Sequence, residues 1–430
     1  MLGHVPAMMR NPLGFFTDCA RKCGDWTPTR FGPRTFFVAT HPDLIEEVLL
    51  TKHRSFQKSP GLRRSSILFG QGLLTSEGDF WRKQRRLIQP AFHRERIAAS
   101  AAAMIEISAR HLESWRTETP FDVHADLLRL TMDVAVATLF GSEISEMETV
   151  ARALDTGQRM FARWMHYLIM LPDWVPTPPA PGITKAVSDL DRVVYRLIAE
   201  RRASGEDRGD LLSMLLGLKD AEDGQVMSER QLRDEILTLF LAGHETTALT
   251  LTWTLYLMAQ NPAAECRLQA ELDEVLNGGM PAPGDAAGLP FTEQVVQETM
   301  RLYPPGWIIG RQAVEQVEIG GHTVPAGASV IMPQYVVHRD PRYFPDPDAF
   351  LPERWTPEFT RSLPKYAYFP FGGGPRICIG SAFAMQELTL LLAAIASRFQ
   401  LHMAPGHPVV LQPSFTLRPK TGLWMQAEAR

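Results

Sequence analysis

The chain has 430 residues, of which 45% are hydrophobic and 21% are charged, the composition of a globular protein with a sizeable core. Its net charge of −4 argues against nucleic-acid binding, which usually needs a basic face, and its four cysteines are too few for a disulfide framework. Neither a secretory signal nor an apolar run of about 18 residues is present, so we expect no membrane anchor and a cytoplasmic location.

Helical periodicity dominates the chain, and strand patterns are few and short. In chain order, the predicted helices span residues 79–89, 96–113, 184–203, 231–259, 263–276, 292–303 and 382–397. The predicted strands span residues 35–39, 317–319 and 322–324 (a hairpin), 329–332, and 411–417 paired with 423–426. Clusters of proline and glycine at residues 176–182 and 278–288 predict loops. We expect one domain over residues 1–430, mainly α with small β-sheets.

The segment 371–380, F-G-G-G-P-R-I-C-I-G, places Cys378 shortly before a strongly helical run. Its glycines allow a flat, bulky group to approach the backbone, and a helix N-terminus stabilises a thiolate. A thiolate held in this way is a good ligand for haem iron, and the simpler alternative is a buried cysteine beside a glycine turn. A dinucleotide-binding loop is excluded because Ile377 stands where that fingerprint needs its third glycine.

This segment resembles the haem-binding signature of the cytochrome P450 family, F-x-x-G-x-x-x-C-x-G. The resemblance implies a cytochrome P450 fold, with a long central helix over a haem b cofactor and with Cys378 as the axial ligand of the haem iron. It also implies that Phe371, Gly372 and Gly380 border the haem and that Arg376 contacts a haem propionate.

The long helix predicted at 231–259 contains Gly243 and two adjacent threonines in its middle, and all three are poor helix formers. Residues of low helix propensity in the middle of a strong helix indicate a functional site. The run A-G-H-E-T-T at 242–247 is similar to the family's oxygen-activation motif. By that resemblance, Gly243 leaves room for dioxygen, while Glu245 and Thr246 deliver protons to it. The alternative is a helix crossing built from small residues, with a solvated glutamate.

Glu298 and Arg301 lie three residues apart on a predicted helix and so share one face. They could form an ordinary surface ion pair. The run also resembles the family's E-x-x-R helix, and the segment 352–355 resembles the one that supplies a third member, Arg354. That resemblance implies a buried structural network of the three side chains.

Trp81 and Arg85 share a helix face and resemble the family's W-x-x-x-R pair, which holds a haem propionate. Arg311 resembles a second propionate arginine, on a strand. Ordinary surface arginines are the alternative. The resemblance also implies a substrate pocket whose lining residues are mostly apolar. They are the loop 59–74 with Phe240, Leu241, Trp307, Ile308, Ile309, Phe415 and Thr416. Arg63 and Arg64 of that loop could anchor a carboxylate, or form a solvated loop tip.

The resemblance covers residues 15–425 and implies a monooxygenase that inserts one oxygen atom from O2 into a lipophilic substrate, such as a fatty acid or a terpenoid. The ending at 415–419 is similar to the branch that includes many fatty-acid hydroxylases. We expect no fused reductase, so a ferredoxin or flavodoxin with its reductase would supply electrons at Arg82, Lys83 and Arg86. A peroxide-using or rearranging haem-thiolate enzyme and a non-catalytic haem sensor are the alternatives, and neither accounts for an intact acid–alcohol pair.

Overall fold

The computed structural model describes residues 3–141, 148–154, 156–157, 160, 182–218, 224 and 226–430. Helices make up most of these residues. They are α1 (Val5–Arg10), α2 (Pro12–Asp18), α3 (Pro42–Glu46), α4 (Pro60–Arg64), α5 (Ser66–Phe69), α6 (Gly78–Ile88), α7 (Arg94–Leu112), α8 (Val123–Phe140), α9 (Ile183–Ser204), α10 (Leu211–Gly217), α11 (Glu229–Gln260), α12 (Pro262–Leu276), α13 (Pro290–Leu302), α14 (Gln334–Val337), α15 (Pro357–Ser362) and α16 (Ser381–Arg398).

The strands are short and form four small sheets among the described residues. They are β1 (Trp26–Phe31), β2 (Arg34–Ala39), β3 (Phe56–Lys58), β4 (Phe121–Asp122), β5 (Ile309–Ala313), β6 (Val317–Ile319), β7 (His322–Val324), β8 (Ser329–Met332), β9 (Phe399–Met403), β10 (Leu411–Pro413), β11 (Leu417–Pro419) and β12 (Trp424–Ala429). The largest sheet has the order β1-β2-β8-β5-β3, in which β2 and β8 run parallel and the other pairs are antiparallel. The others have the orders β4-β12-β9, β6-β7 and β10-β11.

Helix α11 is 32 residues long, and both of its ends are set by local sequence. At the start, the Ser228 hydroxyl accepts from the backbone N–H of Gln231, whose side chain in turn accepts from the N–H of Ser228. At the other end, Asn261 leaves the helical conformation and Pro262 opens the next helix. At about 1.5 Å per residue, α11 is roughly 48 Å long.

All seven predicted helices are confirmed, with ends within a few residues of those expected. Helix α8 was not predicted. It lies along α11, where the Thr131 hydroxyl donates to the carbonyl of His244 at 2.9 Å. Because α8 is packed on several sides, its buried residues include the runs 130–132 and 134–136, so no single apolar stripe identifies it.

Strands form within both segments predicted at the end of the chain, but their predicted pairing is wrong. Residues 411–417 are not one strand paired with 423–426, because a turn at Ser414 folds β10 back onto β11. The N–H of Ser414 donates to the carbonyl of Thr416 at 3.0 Å and closes that turn. Strand β12 pairs instead with β9 and β4. The hairpin β6-β7 and strand β8 are confirmed.

The main hydrophobic core lies between α7, α8, α11, α13 and α16, so the middle of α11 is surrounded by other helices. The loop predicted at 278–288 is confirmed as the connection between α12 and α13, apart from a short helical turn at Asp285–Gly288. The loop predicted at 176–182 lies, except for Gly182, outside the described residues. No helix in the described part of the chain is long and apolar enough to cross a membrane.

Candidate active site

Cys378 lies on a tight turn three residues before α16 begins. Its backbone N–H donates to the carbonyl of Phe371 at 2.9 Å, which closes the segment into a loop. Gly374 has φ +65°, and a Cβ at this position would lie 1.8 Å from the carbonyl oxygen of Leu49, so only glycine fits. The thiol is accessible although protein atoms surround it on nearly every side, so it faces an internal space.

Burial raises the pKa of the Cys378 thiol above its usual value of 9.0. The N–H of Gly380 and the charge of Arg85 oppose this shift without cancelling it. The N-terminus of α16 therefore does not by itself produce the thiolate that the sequence suggested. Coordination to a metal ion deprotonates a thiol outright, so the thiolate expected from the sequence would need a bound cation.

The middle of α11 has one accessible strip, although the residues on either side along the helix are buried. Ala242 is exposed, and Gly243 and Thr246 are only partly buried. A Cβ built on Gly243 would meet nothing within 4 Å. The Thr246 hydroxyl donates to the carbonyl of Ala242 at 2.7 Å, which places its oxygen on the same strip. An opening therefore borders α11 at the run that the sequence singled out.

Glu245, next to Thr246, is turned toward the β10-β11 hairpin. The Thr416 hydroxyl donates to Oε1 of Glu245 at 2.8 Å. Nη2 of Arg418 forms an ion pair with the same oxygen. The side chain of Glu245 is only 4% exposed, so its charge is held inside the protein by these partners.

Three of the four predicted propionate contacts lie in one cationic cluster. The Arg376 guanidinium stacks on the Trp81 ring with its central carbon 4.6 Å from the ring centroid, and it is ion-paired with Glu77. Burial, together with the nearby charge of Arg376, lowers the pKa of Arg311 to about 10. Lys58 joins the cluster, since the charge of Arg376 is among the causes that lower its pKa to about 7, after burial. Arg311 and Arg376 thus share the carboxylate of Glu77, with Lys58 beside them.

Arg85, the fourth predicted contact, points elsewhere. Its Nη1 donates to the carbonyl of Ile377 at 2.8 Å, beside the cysteine segment. Burial lowers the pKa of Arg85, and the neighbouring Cys378 opposes that shift. Arg85 therefore joins α6 to the loop that carries the thiol.

Glu298, Arg301 and Arg354 are brought together in a buried network. Nε and Nη2 of Arg301 each donate to one carboxylate oxygen of Glu298 at 2.8 Å, and Nε of Arg354 donates to it at 3.0 Å. The indole of Trp355 and the backbone N–H of Leu351 complete the set at 2.9 and 3.0 Å. Glu298 and Arg301 are fully buried, so this is not a surface ion pair.

The predicted substrate-pocket residues divide into two groups. Phe240 and Leu241 are buried in the core beside α8 and α9, and Trp307 is buried where its indole donates to the carbonyl of Ser414 at 2.9 Å. Ile308, Ile309 and Phe415 are only partly buried, as are Phe371, Gly372 and Gly380 of the cysteine segment.

The model of the cytochrome P450 family matches residues 1–425 of the chain. The chain belongs to the cytochrome P450 family. It is 37% identical to cyclooctatin synthase of Streptomyces melanosporofaciens, over 97% of this chain and 91% of that protein. It is also 37% identical to cyclooctat-9-en-7-ol 5-monooxygenase of the same organism, over 94% and 88% of the two chains. The crystal structure of the cytochrome P450DA heme domain matches 97% of this chain and 93% of its own with a TM-score of 0.86 at 27% identity.

This cytochrome P450 is therefore a monooxygenase that uses haem b, acts on a lipophilic substrate and receives electrons from a redox partner. The structure has polar groups and accessible surfaces that a bound haem could pair with or cover. Nη1 of Arg376 is buried and has no partner among the described residues, and an anionic propionate is a group that could pair with it. An accessible thiol at Cys378 and an accessible strip at Gly243 provide two surfaces that a flat ring would cover.

Several polar residues of the site were missed from the sequence. Arg418 was within the segment 415–419 that suggested the branch of the family, but its partner lies on a distant helix. Trp355 directly follows Arg354, and only its buried indole reveals that it belongs to the network of Glu298. Lys58 and Glu77 carried no motif, and their contacts join segments far apart in sequence.

Proposed function

We propose that this cytochrome P450 inserts one oxygen atom from O2 into a neutral cyclic terpenoid. The observation that carries the proposal is the engagement of Arg63, a possible carboxylate anchor of the pocket segment 59–74. Its Nη2 donates to Oε1 of Gln312 at 2.6 Å and its Nε to the carbonyl of Lys58 at 3.2 Å. A fatty-acid carboxylate would have to compete with both bonds. The name of the related cyclooctat-9-en-7-ol 5-monooxygenase points to a neutral substrate as well.

We assign the haem contacts as follows. Cys378 would hold the haem iron through its thiolate, and the bound haem would supply the activation of O2 for attack on an unreactive C–H bond. Trp81, Arg311 and Arg376 bind the propionates, which fits the excess of positive charge in their cluster. Arg85, which fixes the cysteine loop through Ile377, is assigned to the same cofactor.

The catalytic groups in this proposal are Glu245 and Thr246. Oxygen activation consumes protons in a pocket that excludes bulk water, so a fixed path for protons is required. Thr246 places a hydroxyl on the accessible strip of α11. Glu245 adds a carboxylate next to it along the helix. Together they can carry a proton from the side of the hairpin to the strip.

Glu298, Arg301 and Arg354 have a structural role in this proposal. The guanidinium of Arg301 also donates to the carbonyls of His338, Pro347 and Ala349 at 2.6 to 2.9 Å. It thereby fixes the long connection that leads from β8 to the cysteine segment.

Electrons come, in this proposal, from a ferredoxin or flavodoxin with its reductase, in the cytoplasm. The outer face of α6 carries Arg82 and Arg86, which are exposed, and Lys83, while Trp81 on the same helix is buried toward the cationic cluster. A negatively charged partner at this face would be separated from the cationic cluster by little more than α6.

The first test is a titration of the purified ferric protein with cyclooctat-9-en-7-ol and, separately, with dodecanoic acid, followed at the Soret band. We expect the neutral alcohol to displace water from the iron and move the band to the blue at micromolar concentration. The fatty acid should bind at least tenfold more weakly. Tighter binding of the fatty acid would contradict the proposal.

An Arg63→Met variant sharpens that titration. Binding of the neutral alcohol should be unchanged, since Arg63 takes no part in it. If dodecanoic acid bound tightly to the wild-type protein and lost at least tenfold in the variant, Arg63 would be a carboxylate anchor. The fatty-acid alternative would then replace the terpenoid.

A further inference from the structure

The carboxylate of Glu245 is held by the β10-β11 hairpin, an element more than 160 residues away in sequence. Thr416 and Arg418 both bind its Oε1. We propose that Arg418, supported by Thr416, is a positioning residue that sets the orientation of Glu245 for proton delivery. This inference rests on the proposed role of Glu245 as the acid of the proton path.

The hairpin is fixed firmly enough to serve as a reference for the acid. The indole of Trp253, on α11 itself, donates to the carbonyl of Leu417 at 2.9 Å, and the indole of Trp307 donates to that of Ser414 at the same distance. The N–H of Leu417 donates to the carbonyl of Pro305 at 3.0 Å. Thr416 and Arg418 flank Leu417, and both side chains reach Glu245.

Glu245 needs its ion pair with Arg418 because its carboxylate is buried. The side chain of Glu245 is 4% exposed and that of Arg418 is 22% exposed. A carboxylate this deep needs a partner, and two donors on Oε1 hold that oxygen in place. The guanidinium, with its partial exposure, also marks the side of the molecule from which a proton would reach the acid.

A titratable side chain close to Arg418 stays uncharged at neutral pH. His124, near Arg418, has its pKa lowered to about 4, chiefly by burial and also by the charge of Arg418, so it is neutral at pH 7. Its Nδ1 lies 3.1 Å from the hydroxyl of Thr252. Phe415, a candidate pocket residue, precedes Thr416 in the same turn, so one hairpin carries both a pocket residue and the holder of the acid.

The test compares the wild-type protein with Arg418→Gln, Arg418→Lys and Glu245→Gln, and with Arg418→Gln in the Glu245→Gln background. The measurement is the solvent hydrogen isotope effect on NADPH oxidation, driven by a ferredoxin and its reductase, which needs no identified substrate. A misplaced acid makes proton transfer slower and more rate-limiting. We expect Arg418→Gln to raise the isotope effect at least twofold, Arg418→Lys to restore most of the wild-type value, and Glu245→Gln to raise it too.

In the Glu245→Gln background, Arg418→Gln should change nothing further, because the residue acts through the acid. Haem content and the Soret band control for loss of the fold, and Lys420→Gln is the matched control for removing an exposed cation just beyond β11. Thr416→Val should raise the solvent isotope effect, as Arg418→Gln does, whereas Thr416→Ser should leave it unchanged.

The outcomes separate the inference from the function on which it rests. If Glu245→Gln raises the isotope effect and Arg418→Gln does not, the role of Arg418 is wrong and the proton path stands. The role is equally wrong if Arg418→Gln raises the isotope effect in the Glu245→Gln background as much as it does in the wild-type protein. If Glu245→Gln itself has no effect, the proposed proton path fails and the inference fails with it.

Discussion

Glu298 holds the most completely satisfied buried charge among the described residues of the site. Its two carboxylate oxygens receive donors from two arginines, an indole and a backbone N–H. Replacing such a pair by apolar groups can be harmless, whereas removing one partner leaves the other charge buried and unpaired. The network therefore makes the connection between β8 and the cysteine loop depend on a single carboxylate.

We predict that Glu298→Ala lowers the free energy of unfolding by about 3–5 kcal/mol, the usual cost of leaving a buried charge unpaired. The purified variant should hold little or no haem, measured by the ratio of Soret to protein absorbance. Glu293→Ala is the control, since Glu293 lies on the same helix and is exposed. A variant of Glu298 with full haem content would remove the network from its structural role.

Sequence could identify some of these residues and not others. Glu298 and Arg301 are three apart on a helix, so their contact follows from helix geometry alone. Arg354 was predicted through the family resemblance, and Trp355 was not predicted at all, since the approach of that segment to α13 depends on the whole tertiary arrangement.

At the scale of elements, α11 and α16 are joined by one buried polar contact. The hydroxyl of Thr247 lies 3.2 Å from Oε2 of Glu387, which is 2% exposed. Burial raises the pKa of Glu387 to about 8, and the bond from Thr247 opposes the shift. At neutral pH the folded protein therefore holds this side chain largely as a neutral carboxylic acid.

The contribution of Glu387 to stability should depend on pH with a defined sign. In the unfolded chain the carboxyl ionises near pH 4.5, while in the folded protein it keeps its proton up to about pH 8. Its stabilising contribution is thus complete below about pH 4.5 and is lost as pH rises toward 8. Glu387→Gln, which does not titrate, should gain stability relative to wild type by a few kcal/mol between pH 5 and pH 8.

Urea unfolding of the two proteins across that pH range measures the difference. If the stabilities of the two proteins ran parallel with pH, Glu387 would be ionised in the folded state. If wild type gained stability relative to Glu387→Gln as pH rises, the neutral state assigned to Glu387 would be wrong.

Some helices and turns could be predicted from local sequence, and others could not. The ends of α11 were predictable from Ser228, Gln231 and Pro262, which act locally. Helix α8 was not, because burial on several sides removes the polar face that marks a surface helix. The turn at Ser414 divided a segment whose alternation resembled one strand.

At the scale of the whole molecule, the charged outer face of α6 and the buried cationic cluster lie on opposite sides of one helix. Trp81 is buried, whereas Arg82 and Arg86 are exposed. A partner protein docked on this face would need no path through the core, which is why we expect electrons to enter here.

We predict that Lys83→Glu slows reduction by a ferredoxin several-fold at low salt, and that the difference narrows as salt screens the charges. Stopped-flow measurement of haem reduction at several ionic strengths checks this. Lys185→Glu, which reverses an exposed charge on α9, should leave the rate unchanged. An equal rate for Lys83→Glu and wild type at low salt would remove Lys83 from the docking face.

The sequence by itself determined the family, the cofactor and the helix-rich fold. It also singled out Cys378, Glu245, Thr246 and Glu298 as candidate site residues, because each belongs to a motif of closely spaced residues. That the chain forms one domain stays a prediction. Only the tertiary structure decided that Arg418 holds Glu245, that Lys58 and Glu77 join the cationic cluster, and that Arg63 is engaged by Gln312. Those contacts join segments separated by tens to hundreds of residues, and a side chain's partner across such a distance is set by packing rather than by local spacing.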